Sequence, residues 1–542
     1  MKLSELDLNL LAAETDKVEG LYNEINDTAS DYPRNKSIVD LFEANVDKYP
    51  DKTAVTIEDS SVRYSELDKR ANRIAQWLVK NGLQKEDVVA VYLSRSIDLI
   101  SSILGILKAG GAYLPLNIEY PLEQCKHMVK QSGVKMIIGE KDFIKALNTL
   151  QWECESVETV LCINSDNAAQ EKEQRNQLMK DLWEYFQDNT DDEIELGGWM
   201  SSYTGERMSD EEMQEYGENV LQKLDPYLTP ETKVLEIGCS SGLTMYRIAP
   251  KVKSYHGTDI SQAIVDWNEA KCESEGITNI TMQCVAAEDL DQIKDNDYDI
   301  IIFNSVIQVL SGFNSLRQLI TKSVEKLDNK GLLFFGDIMD LDLKQDLIDS
   351  LSAFKRENNH NETKLNFDDE LFVPRAFFEA QESETNEIVS VIDSRKIHTI
   401  SNELTDFRYD VILEIDKDSQ LNNTEKANKR LCDKRDLVDC NEERVGIETS
   451  PDQLSNVMFT SGSTGTPKGV MIRHRSNIRT VVDSFLGVRP DDIWLQTAEI
   501  SFDPSCQEIF GALLNGATLC LIPKNTLIDP AKCHDYFHEK GI

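Results

Sequence analysis

The sequence is short of positive charge. Against 96 Asp and Glu stand 57 Lys and Arg, a formal net charge of −39. Such a surface repels a polyanion and no basic stripe offsets it, so a nucleic-acid partner is excluded and an acidic exterior expected. Long apolar runs are also missing. LISSILGILKAGG is interrupted by Lys108 and by glycines, and it reads as a buried helix rather than a membrane span. The opening residues, MKLSELDLNLLAAETDK, lack a basic region followed by an apolar core, so no secretory leader is expected and the compartment expected is the cytoplasm. The 11 cysteines are scattered, with no C-x-x-C pair and no zinc-like spacing with His. That pattern fits packing in a reducing compartment and no metal site. Neither an internal repeat nor a low-complexity segment is present.

What remains is a chain of 542 residues, 40% apolar, enough for packed cores and too long for one ordinary domain. Residues 37–164 alternate helical and strand patterns: IVDLFEANVDKY at helical spacing, VVAVYL as a buried strand, then KMIIGE and TVLCIN as further strands. The stretch NSDNAAQEKEQRNQ is polar. From about residue 231 a fresh series begins, with KVLEIG, SYHGTDI, NITMQCV, YDIIIFNSV and GLLFFGDIM separated by helices. That rhythm predicts a second doubly wound sheet complete in itself. A second polar stretch, IDKDSQLNNTEKANKRLCDKRD, follows, and about 441–542 returns to an α/β style. The two polar stretches bracket an insert.

Within the insert, VLEIGCSSGLTM reads as strand, glycine turn and helix start. Many strand-to-helix turns need glycine for positive φ, so the turn alone decides little. Two acids add to it. Glu236 stands two residues before Gly238, in the turn itself, where it would repel the pyrophosphate of a dinucleotide but welcome an ammonium beside a sulfonium. Asp259 ends the next strand in HGTDIS, at a spacing that suits an acid holding both ribose hydroxyls. Together they favour S-adenosylmethionine over NAD.

In the last segment NVMFTSGSTGTPKG carries small residues, hydroxyls and a lysine between two apolar runs. It is not a Walker A loop, because Pro467-Lys468-Gly469 replaces Gly-Lys-Ser/Thr. The same physics holds: backbone N–H groups can curl around phosphate oxygens while Thr460, Ser461, Ser463 and Thr464 donate and Lys468 supplies a cation. The apolar flanks argue against a flexible Ser/Gly linker.

These motifs carry two resemblances. GGWMSSYTGERM, VLEIGCSSGLTMYRIAP, GTDIS, FNSVIQVL and ELTDFRYDVIL, spread over about 197–415, resemble class I methyltransferases, and more narrowly those embedded in nonribosomal peptide synthetases. Ser240 stands where that family's turn usually has a further glycine. FTSGSTGTPKG resembles the phosphate loop of adenylate-forming enzymes. VRYSELDKRANRIAQWL, LKAGGAYLPLN and ISFDPSCQEIFGALLNGATL resemble motifs of nonribosomal peptide synthetase adenylation domains, with Asn117 where Asp is usual. The expected fold is therefore α/β: a partial adenylate-forming N-terminal subdomain with an inserted Rossmann-like class I methyltransferase. The expected division is a linker at 1–36, adenylation at 37–164, a linker at 165–196, methyltransferase at 197–415, a linker at 416–445, and adenylation again at 446–542. Later adenylation motifs are not found, so the chain reads as cut inside that domain.

The resemblance implies roles residue by residue. Glu236 would orient the methionine part of S-adenosylmethionine, Asp259 the ribose, and Glu288 would lie near the adenine. Gly238 and Gly242 would shape the turn. Asn304 would line the methyl-transfer end. Tyr203, Glu206, Asn304 and Gln308 are candidates to position or deprotonate the acceptor, the base itself unassigned. Thr460, Ser461, Gly462, Ser463, Thr464, Gly465 and Lys468 would hold the phosphates of ATP with Mg2+. Asp503 would pair the α-ammonium of an amino-acid substrate, because a buried ammonium needs a carboxylate; an ordinary helix-capping Asp is the plainer reading.

The implied activity is activation of an α-amino acid as aminoacyl-AMP, loading onto the phosphopantetheine thiol of a peptidyl carrier protein, and methylation of the bound residue. The insert's position leans towards its side chain. A small MbtH-like activator, or a chain supplying the absent adenylation motifs, is an implied partner. Two rivals stay open: a non-catalytic scaffold or decayed fragment that docks a carrier protein, and a methyltransferase acting on a free small molecule. The chain alone is expected to methylate and not to adenylate. Calorimetric affinity for S-adenosylmethionine should fall strongly in Asp259→Ala and in Glu236→Ala, and unchanged affinity in both would refute the placement of the methyl donor.

Overall fold

In the computed structural model, which describes residues 8–26, 31–173, 192–419, 429–460, 467–483 and 486–540, the chain divides into two units. One is Met1–Tyr120 with Leu437–Ile542, the other Pro121–Asp436. The first unit opens with β1 (Thr53–Ile57) and β2 (Ser60–Arg63), an antiparallel pair, followed by β3 (Val88–Tyr92) and β4 (Ala112–Pro115), a parallel pair. The run IDLISSILGILK forms the connecting helix Ile97–Lys108, buried from Leu99 onward as its apolar content predicts. Ser96 starts it by accepting the amide of Leu99. Lys108 ends it 2% exposed, its charge met by Asp68 at 2.7 Å and by Glu43. Asn117, in place of the usual Asp, accepts the amide of Glu119 through Oδ1, a turn bond that either residue can make.

The second unit holds β5 (Met136–Gly139), β6 (Thr159–Cys162), β7 (Lys233–Ile237), β8 (Ser254–Asp259), β9 (Ile280–Cys284), β10 (Tyr298–Asn304), β11 (Leu327–Met339), β12 (Ile388–Arg395), β13 (Arg408–Asp416) and β14 (Arg430–Asp433). Seven of these form one sheet in the order β12-β13-β11-β10-β7-β8-β9. The five strands from β7 to β11 pair in parallel; β13 adds an antiparallel strand beside β11, and β12 pairs antiparallel with β13 at that edge. Alternate residues serve opposite faces. Leu235, Ile301, Phe303, Leu333 and Phe335 enter one core, Val234, Ile300, Ile302, Leu332 and Phe334 the other. Both faces are covered, which is why these strands read as nearly continuous apolar runs. The strand order reverses between β7 and β10, so their carboxyl ends frame a switch point, the place where open α/β sheets bind ligands.

The insert is closed by its own flanks. β14 runs parallel to β6 with Arg430 opposite Thr159 and Asp433 opposite Cys162, and β6 is parallel to β5. Lys429 donates to the carbonyls of Gln151 at 2.6 Å and Val157 at 2.9 Å, and Gln151 Nε2 donates to the carbonyl of Arg430 at 2.9 Å. The helix Ile144–Glu153 also feeds the core of the seven-stranded sheet: Trp152 packs against Phe313 and Phe377, ring centroids 5.7 and 5.3 Å apart. Beside it lies a buried polar cluster. Asn148 Nδ2 donates to Glu173 and Asn314, and Arg317 donates to the side-chain oxygens of Asn148 and Asn314. Burial raises the Glu173 carboxyl above its ordinary value and lowers Arg317.

Returning to the first unit, β15 (Leu454–Thr460) runs parallel to β4 and pairs antiparallel with β16 (Lys468–Arg473). β17 (Ile493–Gln496) and β18 (Thr518–Leu521) complete a four-stranded sheet in the order β17-β18-β1-β2. No helix among the described residues is long and apolar enough to cross a membrane. Among them, too, no cluster of three His, Cys, Asp or Glu is arranged for a metal, and no two cysteines are joined in a disulfide.

Truncating Trp152 to Ala should destabilise the second unit by about 3–5 kcal/mol, the cost of emptying a large aromatic site in a packed core. Urea unfolding followed by calorimetry checks this. A change below about 1 kcal/mol would show that Ile144–Glu153 is not part of that core.

Candidate active site

The turn after β7 is built from residues with positive φ: Gly238 (+70°), Ser240 (+48°) and Gly242 (+82°). A side chain at Gly238 would meet Val306 Cγ2 at 2.7 Å, and one at Gly242 would meet Tyr246 Cε2 at 2.4 Å. Ser240 takes the same left-handed conformation without glycine's freedom and is held from both sides. Its amide donates to Asp259 Oδ2 at 3.0 Å, and its carbonyl accepts Asn268 Nδ2 at 2.8 Å.

Asp259, the last residue of β8, thus shapes the turn as well as facing the switch point. Its other oxygen accepts the amide of Ser261 at 3.0 Å. Burial raises its carboxyl above the ordinary value, and these amide bonds work against that rise. Asp259, Gly238, Ser240, Ile260, Ala287, Glu288, Asn304 and Gln308 line one cavity of about 490 Å³, within the range of small-molecule sites.

Glu236 lies inside β7 rather than in the turn, 2% exposed, because its parity places it on the sheet face that also carries Tyr255. Tyr255 Oη donates to Glu236 Oε2 at 2.9 Å. The side chain borders a smaller adjoining pocket shared with Gly238, Ser240, Trp199, Thr244 and Asn304. Burial pushes its carboxyl up to about 8, with hydrogen bonds from Tyr255 and Thr244 opposing and the Asp259 charge adding. Asn304 ends β10, 7% exposed. Its Nδ2 donates to Thr244 Oγ1 at 3.0 Å, while its Oδ1 is buried without a partner. The buried acids and the orphaned amide oxygen fit a cationic ligand that also donates hydrogen bonds, as the ammonium of S-adenosylmethionine does.

Of the acceptor candidates, Asn304 and Gln308 line the cavity; Tyr203 and Glu206 do not. The Tyr203 hydroxyl pairs with Ser350 Oγ at 2.9 Å and its ring packs edge-on against Phe354, while Glu206 is exposed. Their neighbours line the wall instead. Ser202 donates its amide to Glu403 Oε1 at 2.6 Å, and Ser201 Oγ donates to Glu403 Oε2 at 3.3 Å. Glu362, Lys364, Glu370 and Arg408 complete that end. Arg408 and Glu403 lie in ELTDFRYDVIL, where the pattern marks a strand but no role. Lys364 and Glu370 lie in a stretch with no periodic signal.

In the first unit, β15 and β16 place Thr460 opposite Lys468. Ser461, Gly462, Ser463, Thr464 and Gly465 lie outside the described residues. Asp503 precedes the helix Pro504–Leu513, makes no side-chain cap bond to it and is exposed. Beside it Cys506 is buried between Tyr113 Oη at 3.3 Å and Asn456 Nδ2 at 3.7 Å, and burial pushes its thiol up to about 11.

Residues 42–207 and 375–542 match the family described as AMP-binding enzyme, and residues 234–331 match the methyltransferase domain. Gramicidin S synthase 1 of Brevibacillus brevis is 37% identical over 128 residues, 24% of this chain and 12% of that protein. Bacitracin synthase 2 of Bacillus licheniformis is 42% identical over 118 residues, 22% of this chain and 4% of that protein. Tyrocidine synthase 3 of Brevibacillus parabrevis is 37% identical over 138 residues, 26% of this chain and 2% of that protein. The chain therefore matches only a small part of the length of these relatives.

The raised Glu236 carboxyl makes a pH prediction. In the empty protein it is mostly protonated at neutral pH, so its stabilising effect on the apo fold is full below its ordinary value of 4.5 and is lost as pH climbs through about 8. A cationic ligand favours the carboxylate, so binding expels a proton. Affinity for S-adenosylmethionine should rise about tenfold per pH unit below about 8 and level off above it. Calorimetry across that range checks this, and Glu236→Gln should flatten the profile.

Proposed function

The chain belongs to the AMP-binding enzyme family and carries a methyltransferase domain within it, and from that premise we propose that it is an interrupted adenylation–methyltransferase unit of nonribosomal peptide synthesis. The functional division follows the motifs: adenylation at 37–164 and 446–542, methyltransferase at 197–415. The first unit activates an α-amino acid with ATP and Mg2+. Thr460 and Lys468, with the loop between them, hold the phosphates, and Asp503 pairs the substrate's ammonium. The aminoacyl group passes to the phosphopantetheine thiol of a carrier protein and is methylated there, the insert's position favouring its side chain.

The observation that carries the methyltransferase reading is the acid pair at the switch point. Glu236 and Asp259 are both buried, one on each side of the glycine turn, where an anionic dinucleotide would offset neither acid and a sulfonium with an ammonium favours both as carboxylates. S-adenosylmethionine supplies a methyl group on a positively charged sulfur. Its displacement disperses charge, so the protein's share of the work is mainly alignment. Asp259 holds the turn and the ribose side, Glu236 the ammonium side, and Asn304 spans from Thr244 to the cavity.

Equilibrium dialysis with S-adenosylmethionine, S-adenosylhomocysteine and NAD tests this reading. Both sulfur nucleotides should bind and NAD should not. Binding of NAD with rejection of the other two would overturn it.

A further inference from the structure

We infer that residues 168–173, a strap ahead of the methyltransferase segment, position the cavity wall 308–310 through the first turn of helix Phe313–Lys326, with Glu173 and Asn314 as the positioning residues; this rests on the methyltransferase reading above. The helix starts without a cap of its own. Its N-cap is Gly312, which has no side chain to offer, and no acid stands in its first turn. The missing acceptor comes from the strap. Glu173 Oε1 accepts the amide of Asn314 at 3.2 Å and Asn148 Nδ2 at 2.7 Å. Gly312 lets the carboxylate come this close. Its φ of 162° is extended backbone open to any residue, but a side chain there would collide with Glu173 Oε2.

Asn314 grips the strap in return. Its Nδ2 donates to the carbonyls of Ala168 at 2.8 Å and Glu171 at 3.1 Å. Arg317 fixes that orientation by donating to Asn314 Oδ1 at 3.0 Å. The strap is anchored outside the methyltransferase segment: the amide of Ala168 donates to Asp433 Oδ2 at 3.2 Å, and Asn148 belongs to helix Ile144–Glu153. Phe313, the first helical residue, packs on Trp152 of that same helix. Asn148, Glu173, Asn314 and Arg317 are all buried.

Gln308, Val309 and Leu310 line the cavity, and only Ser311 separates them from Gly312. Their path is pinned at both ends. Gln308 accepts the amide of Leu371 at 2.9 Å, and Ser311 Oγ pairs with Ser315 Oγ of the helix at 2.5 Å. None of residues 168–173 lines the cavity. A shift of the strap therefore reaches a ligand by moving the helix start and, with it, the wall. Coupling is reciprocal: a strap that sets the ligand's affinity is itself steadied when the ligand binds. A strap that only tethered the insert would show neither effect.

Hydrogen exchange on the wild-type chain, with and without S-adenosylhomocysteine, tests this. Backbone amides of residues 168–173 should exchange at least about threefold more slowly with the ligand bound, although they do not touch it. By calorimetry, Glu173→Ala should bind S-adenosylhomocysteine about tenfold more weakly, and Glu173→Gln, which keeps the accepting oxygen, should stay within about twofold of the wild type. Exchange in 168–173 unchanged by the ligand overturns the assignment. So does an affinity kept in Glu173→Ala, or one lost equally in Glu173→Gln, which would trace the effect to charge and not to the hydrogen bond. Should Glu173→Ala not fold, Gly312→Ala, whose added methyl displaces the carboxyl, takes its place with the same expected loss. Failure of the wild type to bind S-adenosylhomocysteine would instead overturn the methyltransferase reading itself.

Discussion

The parallel pairing of β6 with β14 is the constraint on which the second unit depends. An insertion survives in a host fold only if its entry and exit points lie together, because otherwise the host sheet must open to admit it. Here the strand before the insert and the strand after it are hydrogen-bonded neighbours, and Lys429 fastens the junction by donating to backbone carbonyls at the end of Ile144–Glu153. A whole doubly wound sheet can then hang from one edge without disturbing the register beneath it. Trp152 makes the attachment more than a tether, since a residue of the flanking helix sits in the core of the inserted sheet.

The sheet order does the next part of the work. With β7 central and the order reversing between it and β10, two strand ends open onto one crevice, and the residues there come from distant parts of the chain. Gly238 and Ser240 follow β7, Asp259 ends β8, and Asn304 ends β10. Their meeting is a consequence of parallel strands sharing a direction. Asp259 is buried there and Glu236 lies behind the turn inside β7, so ionising either carboxyl runs against the preference of its surroundings. A ligand of opposite charge would relieve that conflict.

Beneath the end of the cavity lined by Arg408 runs a second set of buried charges. Asp337, in a bulge of β11 with φ of +62°, pairs with Arg408, and Asp410 is held well below the usual carboxylate range by Lys396 at 2.7 Å and Lys223 at 2.6 Å. The amide of Asp337 donates to Asp410 Oδ1 at 2.8 Å, so the bulge is locked to β13. Removing one member of such a set leaves a buried charge unpaired, which makes it a device for one conformation more than a source of net stability. Arg408, on the cavity wall, is positioned by it.

By itself the sequence determined the elements and the families. Apolar runs of strand length, the glycine turn VLEIGCSSG and the loop FTSGSTGTPKG are local patterns, and local patterns survive in one dimension. It also placed Asp259 at a strand end. Glu236 was legible as important but was set in the turn. Only the structure shows it inside β7, since the parity that turns its side chain towards Tyr255 depends on which strands flank it. Tyr203 and Glu206 lie in a motif whose neighbours, not themselves, reach the cavity. Glu370 and Lys364 come from a segment without periodicity and could be found only by the cavity they share with Gln308. The reason is the same in each case: a chain's own spacing sets what a residue can be part of, whereas the partners that leave one oxygen satisfied and another bare are brought in by tertiary packing from elsewhere in the chain.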